Sequence, residues 1–598
     1  MLFLSVFGTP RLLHLPHSPL LSRPPRLLGK AKALHALVPL VVGLAAAGQP
    51  ADVRAQATDA GRILDSLPKR ELPVPLPTLP NVNVKPQPNV TNTLPDVGAQ
   101  LEVKKFIIQG ATLLSPQRLD MALKPYTGKP LTVSQLQEAA GVITQVYRDA
   151  GYPLAYAVVL PQPIADGVVT LTVREGRIER VDTSPAQSHD MPRVAQGEVG
   201  RAATVGSPVS TSQLEESLLL VNDLPGRGRA SAEISPGTQP DTSVVALDYT
   251  RGPRFGGYVL ADNAGNRFTG RNRLLGAVNV NEPFGAGDQL SFTVLTTGSN
   301  LNYGQAGLRV PLSARTSLGG SVSKLSYKLC CQPAGSDTDG SVDSASLDVA
   351  HTLSLTRAYS FALFGGLDTK RLRSNRNAVE QSNRRVQGYT AGLRGYALVA
   401  GQNSWSLALR GGRVSLSGNA ADAALDDTTT RVGGQYYKLT GQLNRLQPFS
   451  SAWSGALNLR GQANTGRNLE SSERFVLGGT DGVRAYPSGE AVGDTGWLAN
   501  LELRYAVAAA PGLAFATFVD VGGVKRYSKN ADLLRGTASN YYHLSGWGVG
   551  VRYDLAQASV NLYVAQPIGR NRGVDVDGNN NEGRKDGTQA GLSANWRF

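Results

Sequence analysis

From about residue 252 to its last residue the chain alternates apolar and polar side chains with a period of two, and no other feature constrains its fold as much. Leu290, Phe292 and Val294 interleave with Gln289, Ser291 and Thr293; Ala306, Leu308 and Val310 with Gln305, Gly307 and Arg309; Leu501, Leu503 and Tyr505 with Asn500, Glu502 and Arg504. A period of two is that of a β-strand with one apolar face. A spanning helix needs about 18 or more apolar residues in a row. The best candidate beyond the N-terminal region, 506–519, is broken by Pro511-Gly512. A membrane role would therefore have to use a closed β-barrel. Charged residues opposite apolar ones also suit a soluble sandwich, so each strand alone leaves both readings open.

The final strand narrows the choice. Leu592, Ala594, Trp596 and Phe598 alternate with Ser593, Asn595 and Arg597, and a terminal strand closing on Phe is typical of bacterial outer-membrane barrels. About 350 residues at about 22 per strand and loop make about 16 antiparallel strands. Only 41% of the 598 residues are hydrophobic, too polar for a helical membrane protein. Cys330 and Cys331 are the two cysteines and are adjacent; a vicinal pair closes only a strained ring, and a Cys-based metal site needs more ligands. Of six histidines, His14, His17 and His35 lie in the N-terminal leader, and His189, His351 and His543 form no ligand-spaced cluster. The net charge of +14 is spread over 60 basic residues without a dense run, so no nucleic-acid partner is expected. No Gly-x-Ser-x-Gly elbow or other catalytic constellation stands out, and neither an enzyme activity nor a cofactor is expected.

The region before residue 252 is organised differently. Residues 1–57 read as a signal peptide, with a basic, Pro-rich start and the apolar run Ala36–Ala47, too short to span a bilayer. Residues 58–70 hold a short candidate helix at 60–67. Residues 71–100 carry Pro73, Pro75, Pro77, Pro80, Pro86, Pro88 and Pro95, an extended linker that cannot be a helix or an inner strand. A β-α-α-β-β pattern then occurs twice, over 101–176 and 177–251. In the first copy Val103–Ile108 reads as a strand, Ser115-Pro116 opens a helix, and Thr132 with Gln135 forms a capping box for a second helix stopped at Gly151. In the second copy Ser212 and Glu215 read as the box of the second helix. Such units expose a strand edge that can pair with an extended peptide.

Signal peptide, Pro-rich linker, two β-α-α-β-β units and a C-terminal barrel together resemble the two-partner secretion transporters. These are the ShlB/FhaC/HecB-type haemolysin secretion/activation proteins of the BamA superfamily, and the repeated units look like their POTRA domains. Leu220-Val221-Asn222-Asp223-Leu224-Pro225-Gly226 resembles the family's second-POTRA segment. Asp262-Asn263-Ala264-Gly265, with Thr269-Gly270-Arg271 and Arg273, resembles the first barrel hairpin. Gly478-Gly479-Thr480-Asp481-Gly482-Val483-Arg484-Ala485-Tyr486 resembles the loop with the V-R-G-Y/F motif, and Phe518-Val519-Asp520-Val521-Gly522 its partner F-x-D-x-G strand. Ala485 stands where the family has Gly and adds a Cβ at a tight tip.

The resemblance implies that the loop carrying Arg484 folds back into the lumen and that Asp520 faces it there. A guanidinium can grip a carboxylate bidentately, so the pair would latch the loop tip to the wall, with Val483 and Tyr486 packed beside it. It also implies that 60–67 is a plug helix. Asp575, Asp577, Asn579 and Asn581 suggest a calcium loop, but the Gly at position six and the closing Glu are missing; a surface loop is expected, and no metal. The expected function is export of an unfolded exoprotein with an N-terminal secretion domain across the outer membrane, the POTRA pair capturing it in the periplasm and outer-membrane lipid surrounding the barrel. A barrel assembly factor, or a passive porin or receptor, is the alternative.

Overall fold

The computed structural model describes residues 59–67, 82–85, 100–182, 191–298, 300–331, 337–529, 539–575 and 577–598. The expected signal peptide lies outside the described residues, as does most of the Pro-rich segment. Sixteen antiparallel strands close into a barrel. The first, Phe255–Asp262, pairs with the last, Gln589–Arg597, so that Val259 lies opposite Trp596 and no edge is left open. The backbone of the last residue takes part: Phe598 N donates to Gly257 O at 3.1 Å.

The ambiguity between sandwich and barrel is resolved by which half of each alternation is buried. Val294, Leu501, Leu592 and Trp596 are half exposed or more on the outer wall, whereas the polar partners point inward; Asp520 is fully buried in the lumen. A soluble sandwich buries its apolar half, so this inversion marks a lipid-facing surface. Aromatic pairs ring the end nearest the POTRA units: Trp453 and Tyr505 with centroids 5.0 Å apart, Trp596 and Phe598 at 5.2 Å, Phe361 and Trp405 at 5.7 Å. Such girdles sit at the membrane–water boundary. Strands Thr338–Leu355, Tyr359–Arg376 and Val379–Ala397 have 18, 18 and 19 residues. About 9–11 suffice to span, so these strands project beyond the bilayer on the far side.

The two N-terminal β-α-α-β-β units keep the expected element order, with local differences. The first helix pair is Pro116–Leu123 and Val133–Asp149, and the Thr132/Gln135 capping box forms in both directions. Gly151 follows that helix at φ +89°, where only glycine is unstrained. The single strand expected over Val103–Ile108 is split in two, Leu101–Val103 and Lys105–Gln109; the first pairs with Lys129–Leu131 and the second with Val168–Arg174. In the second unit the helix Thr211–Asn222 is capped by Ser210, which accepts from Gln213 N at 3.4 Å. The box expected at Ser212 is thus displaced by two residues, because Ser210 precedes it with the same chemistry.

Two joints tie the second unit to the rest of the chain. Leu219 and Leu220 of the second unit pack with Ala314, Leu355 and Tyr396 at the near rim of the barrel, and Tyr249 Oη donates to Glu282 Oε1 at 2.6 Å. The second joint comes from the linker. Val82–Val84 forms a short strand parallel to Arg229–Pro236 at the edge of the second POTRA sheet, with Val82, Asn83 and Val84 opposite Ala232, Glu233 and Ile234. Lys85 N donates to Ile234 O at 2.9 Å, and Lys85 pairs with Glu233 at 2.6 Å. An edge strand is the one strand position a Pro-rich segment tolerates.

Candidate functional site in the barrel lumen

The chain from residue 465 to 494 joins strands Trp453–Asn464 and Thr495–Ala506. It turns back into the barrel on a two-residue ladder, Phe475–Val476 against Val492–Gly493. Its tip is a tight turn: Val483 N donates to Leu477 O at 2.7 Å, Tyr486 N to Val483 O at 3.1 Å, and Gly479 N to Tyr486 O at 3.1 Å. A Cβ at Gly482 would sit 1.9 Å from Leu477 O, so this position admits glycine alone. Val483, Ala485 and Tyr486 are buried at the tip, in one cluster with Phe518 and Leu544 of the wall.

This turn presents Arg484 to the wall. Its Nε donates to Asp520 Oδ2 at 2.9 Å and its Nη2 to Asp520 Oδ1 at 2.8 Å, while the Arg484 backbone N–H adds a third bond to Oδ2 at 3.0 Å. The sequence motifs therefore meet as a bidentate pair. The geometry holds more partners than the motifs named. Arg484 Nη1 donates to Glu502 Oε2 at 2.7 Å, and Glu502 also accepts from Arg504 Nε at 2.7 Å. Asn500 Nδ2 donates to Asp520 Oδ1 and to Gly482 O, each at 2.8 Å. The guanidinium carbon lies 3.4 Å from the centroid of the Phe518 ring, a stacking contact an ammonium cannot reproduce. Asn500, Glu502 and Arg504 are the polar half of one alternating strand; their inward direction was legible, their contact with Arg484 was not.

Ala485 is accommodated by the strand next to that of Asp520, where Gly546 is the ladder partner of Asp520. Its Cβ faces Gly546, where an added Cβ would lie 2.4 Å away, and Ala485 is absent from the residues of positive φ. The missing side chain at 546 makes room for the extra one at 485.

The stem of the loop is held by a second ionic centre that the sequence reading did not single out. Glu473 is buried and pairs with Lys370 at 2.8 Å, Arg410 at 2.7 Å and Lys438 at 3.0 Å. Arg410 also grips Asp368, at 2.6 and 2.8 Å. Asp368 and Lys370 share one strand, Arg410 and Lys438 lie on two others, and Glu473 sits on the loop, so no local motif joins them. The stem also carries the N-terminal helix Ala60–Asp65, capped by Asp59 and packed through Ala60 and Ile63 among lumenal residues that include Leu372, Tyr436 and Leu469. Gly61 lies against the stem: a Cβ there would be 2.2 Å from Ser471 Oγ and 2.5 Å from Ser472 N. Arg273, paired with Asp262 at 2.7 Å, donates to Ser66 O at 2.9 Å.

The Asn/Asp-rich segment near 575–582 is less superficial than expected. Asp575 Oδ1 accepts from Asp577 N and Asn579 N at 3.0 and 2.7 Å, so that oxygen is engaged by backbone. Glu582 is buried and pairs with Arg271, and Asn581 N donates to Glu490 of the lumenal loop at 2.8 Å. Cys330 and Cys331 are free, with sulfurs 2.7 Å apart.

Comparison with known proteins agrees with this architecture. The family profile described as haemolysin secretion/activation protein ShlB/FhaC/HecB matches residues 241–553, and the ShlB-type POTRA profile matches 101–176. The heme/hemopexin transporter protein HuxB of Haemophilus influenzae (strain 86-028NP) is 27% identical over 472 residues, covering 75% of this chain and 80% of HuxB. The outer membrane transporter CdiB of Dickeya dadantii is 24% identical over 482 residues, covering 79% and 83%. The solved structure of CdiB from Escherichia coli superposes with a TM-score of 0.67 at 20% identity, covering 89% of this chain and 95% of that one.

Proposed function

The chain belongs to the haemolysin secretion/activation proteins ShlB/FhaC/HecB, and we propose that, as an outer-membrane two-partner secretion transporter, it takes up an unfolded exoprotein through an N-terminal secretion domain. The partner is an extended polypeptide in the periplasm, bound by the POTRA units, and it leaves through the lumen once the N-terminal helix and the 465–494 loop have yielded. One observation carries this reading: the edge strand Arg229–Pro236 already holds an extended segment, Val82–Val84, in regular parallel register. A sheet edge that accepts one extended peptide through main-chain bonds is suited to accept another. The segments filling the lumen are tied to the wall by ion pairs and hydrogen bonds, which a polar chain can replace. Nucleotide is absent from the periplasm, so folding at the surface supplies direction. The Arg484–Asp520 pair is proposed as the latch that holds the loop inward, and no catalytic step is assigned.

The test is export. Cells co-expressing this chain with an exoprotein that carries a matching N-terminal secretion domain should release that exoprotein to the medium only with the intact transporter. Deleting 101–251 should leave a heat-modifiable barrel in the membrane and no released exoprotein, since barrel and POTRA cores are separate hydrophobic clusters. Continued export by the deletion variant would remove the POTRA units from recognition. Loss of other barrels from the membrane, with export intact, would favour an assembly factor instead.

A further inference from the structure

The outer wall carries a feature that neither secretion nor lumenal gating uses. Where Thr338–Leu355, Tyr359–Arg376, Val379–Ala397, Gln402–Ser415 and Gly434–Pro448 lie side by side, an outward-facing groove of about 630 Å³ opens. Its floor is apolar: Leu347, Leu367, Tyr389 and Tyr437 line it and are all exposed. Gly411 lies between the two tyrosines in the ladder, Tyr389 opposite Gly411 and Gly411 opposite Tyr437, and the Tyr389 side chain folds over it toward Tyr437, so that the pair closes one side of the groove. A Cβ at Gly411 would meet the Tyr389 ring at 2.5 Å.

One end of the groove is basic. Two residues beyond Tyr389 and Gly411, on the side away from the POTRA units, Gln387 pairs with Arg413, and Arg413 lines the groove. Two residues further, Arg371 lies directly opposite Arg385 across the ladder. Like charges facing each other in a sheet are destabilising, and both point outward, since their neighbours Leu372 and Val386 are buried in the lumen. Arg371 donates to Asn383 at 3.0 Å. Arg385 and Arg413 have no ion-pair or hydrogen-bond partner among the described residues. Within four residues of the groove along its strands the outward charges are Arg371, Arg373, Arg385 and Arg413, with Lys324 on the neighbouring strand Thr316–Leu329, against one carboxylate, Asp343. That carboxylate is shared by Arg373 at 3.8 Å and Lys324 at 4.0 Å.

Tyrosines mark the level of the membrane boundary, so the arginines stand at headgroup height of the outer leaflet with an acyl-sized groove below them. We propose that this face binds a phosphorylated, multiply acylated glycolipid of the outer leaflet: an acyl chain lies in the groove along Leu347 and Leu367, against the Tyr389–Tyr437 pair, and a phosphate bridges Arg385 and Arg413 and relieves the Arg371–Arg385 repulsion. A neutral lipid would leave the arginines unpaired, and a free anion would leave the apolar floor uncovered. The site rests on the outer-membrane location and is independent of how substrate is recognised.

The experiment uses the full chain in detergent micelles, titrated with bis-phosphorylated hexa-acyl lipid A and read by native mass spectrometry beside thermal melting. The wild-type protein should retain the lipid and melt higher with it. R385Q/R413Q should bind about tenfold more weakly, as expected for lost charge-assisted bonds, while R385K/R413K stays near wild type. Heat-modifiable migration checks that each variant is folded; if the double variant is not, R413Q alone carries the comparison. Inorganic phosphate and dephosphorylated lipid A at equal concentration should produce no shift. Undiminished binding by the glutamine variant, an equal response to dephosphorylated lipid, or an equal response to inorganic phosphate would each overturn the proposal.

Discussion

At the scale of single residues, the Arg484–Asp520 pair concentrates the consequences. Asp520 is fully buried and receives three bonds from Arg484 and one from Asn500. Removing one partner of a buried pair costs about 3–5 kcal/mol, against about 0–1 kcal/mol for an exposed pair; the lumen lies between these limits. Arg484→Ala and Asp520→Ala should therefore both lower released exoprotein and alter single-channel conductance, with the double variant no worse than Arg484→Ala. Arg484→Lys should retain part of the function, since it keeps the charge but loses the fork and the contact with Phe518. Wild-type export by both alanine variants would remove the latch, and additive losses would separate the two residues. A second residue gives a pH signature. Glu179 in the second POTRA unit accepts from Thr242 Oγ1 at 2.6 Å and from Thr238 Oγ1 and N, each at 2.7 Å, and these bonds hold its carboxyl down to about 2. A depressed carboxylate stabilises above its unfolded pKa, and that contribution is lost as pH falls. Proteolysis of the 236–242 turn should thus accelerate between about pH 4.5 and 2 in the wild type, and Glu179→Gln should be protected no better at pH 7 than the wild type is at acid pH. The pair Arg484–Asp520 was legible because a local motif frames each partner. The contact of Glu502 was not, because it depends on how the 465–494 loop folds back onto the wall, and the Glu473 cluster was not, because its partners come from strands far apart in sequence.

At the scale of elements, the N-terminal helix is the plainest case of close packing in the lumen. It has six residues, too few to be stable alone, so its order comes from the lumen it fills. Gly61 permits that approach to Ser471 and Ser472. Gly61→Leu would force a side chain into an occupied space, an overpacking that costs roughly 1–3 kcal/mol, and the helix should undock. Planar-bilayer recordings should then show a larger or longer-lived open state, with barrel strand pairing unchanged. Conductance identical to wild type would mean that the helix does not occlude the pore. The strands themselves were the easiest elements to read, since a period of two survives any closure geometry. The split near Lys104 and the cap at Ser210 were not resolved, because neighbouring residues with the same propensity compete for each boundary and packing chooses between them.

At the scale of the whole molecule, the covalent path matters more than any single interface. From the lumenal helix ending near Leu67 the chain runs to the sheet edge at Val82 and from there to the first POTRA unit at about residue 100. Asn83→Pro removes the amide that, by the period of two, lies on the same side as that of Lys85, and so weakens the edge pairing. This variant should bind an isolated secretion domain more tightly and open more often; unchanged affinity would place recognition away from that edge. The docked strand is in effect a cleat on a rope. About 15 residues separate Leu67 from Val82 and reach at most about 50 Å, so while the strand stays cleated the plug has only that much slack. Cast off, the same rope runs from the plug to residue 100, about twice the length, and whatever takes the edge also pays out the line.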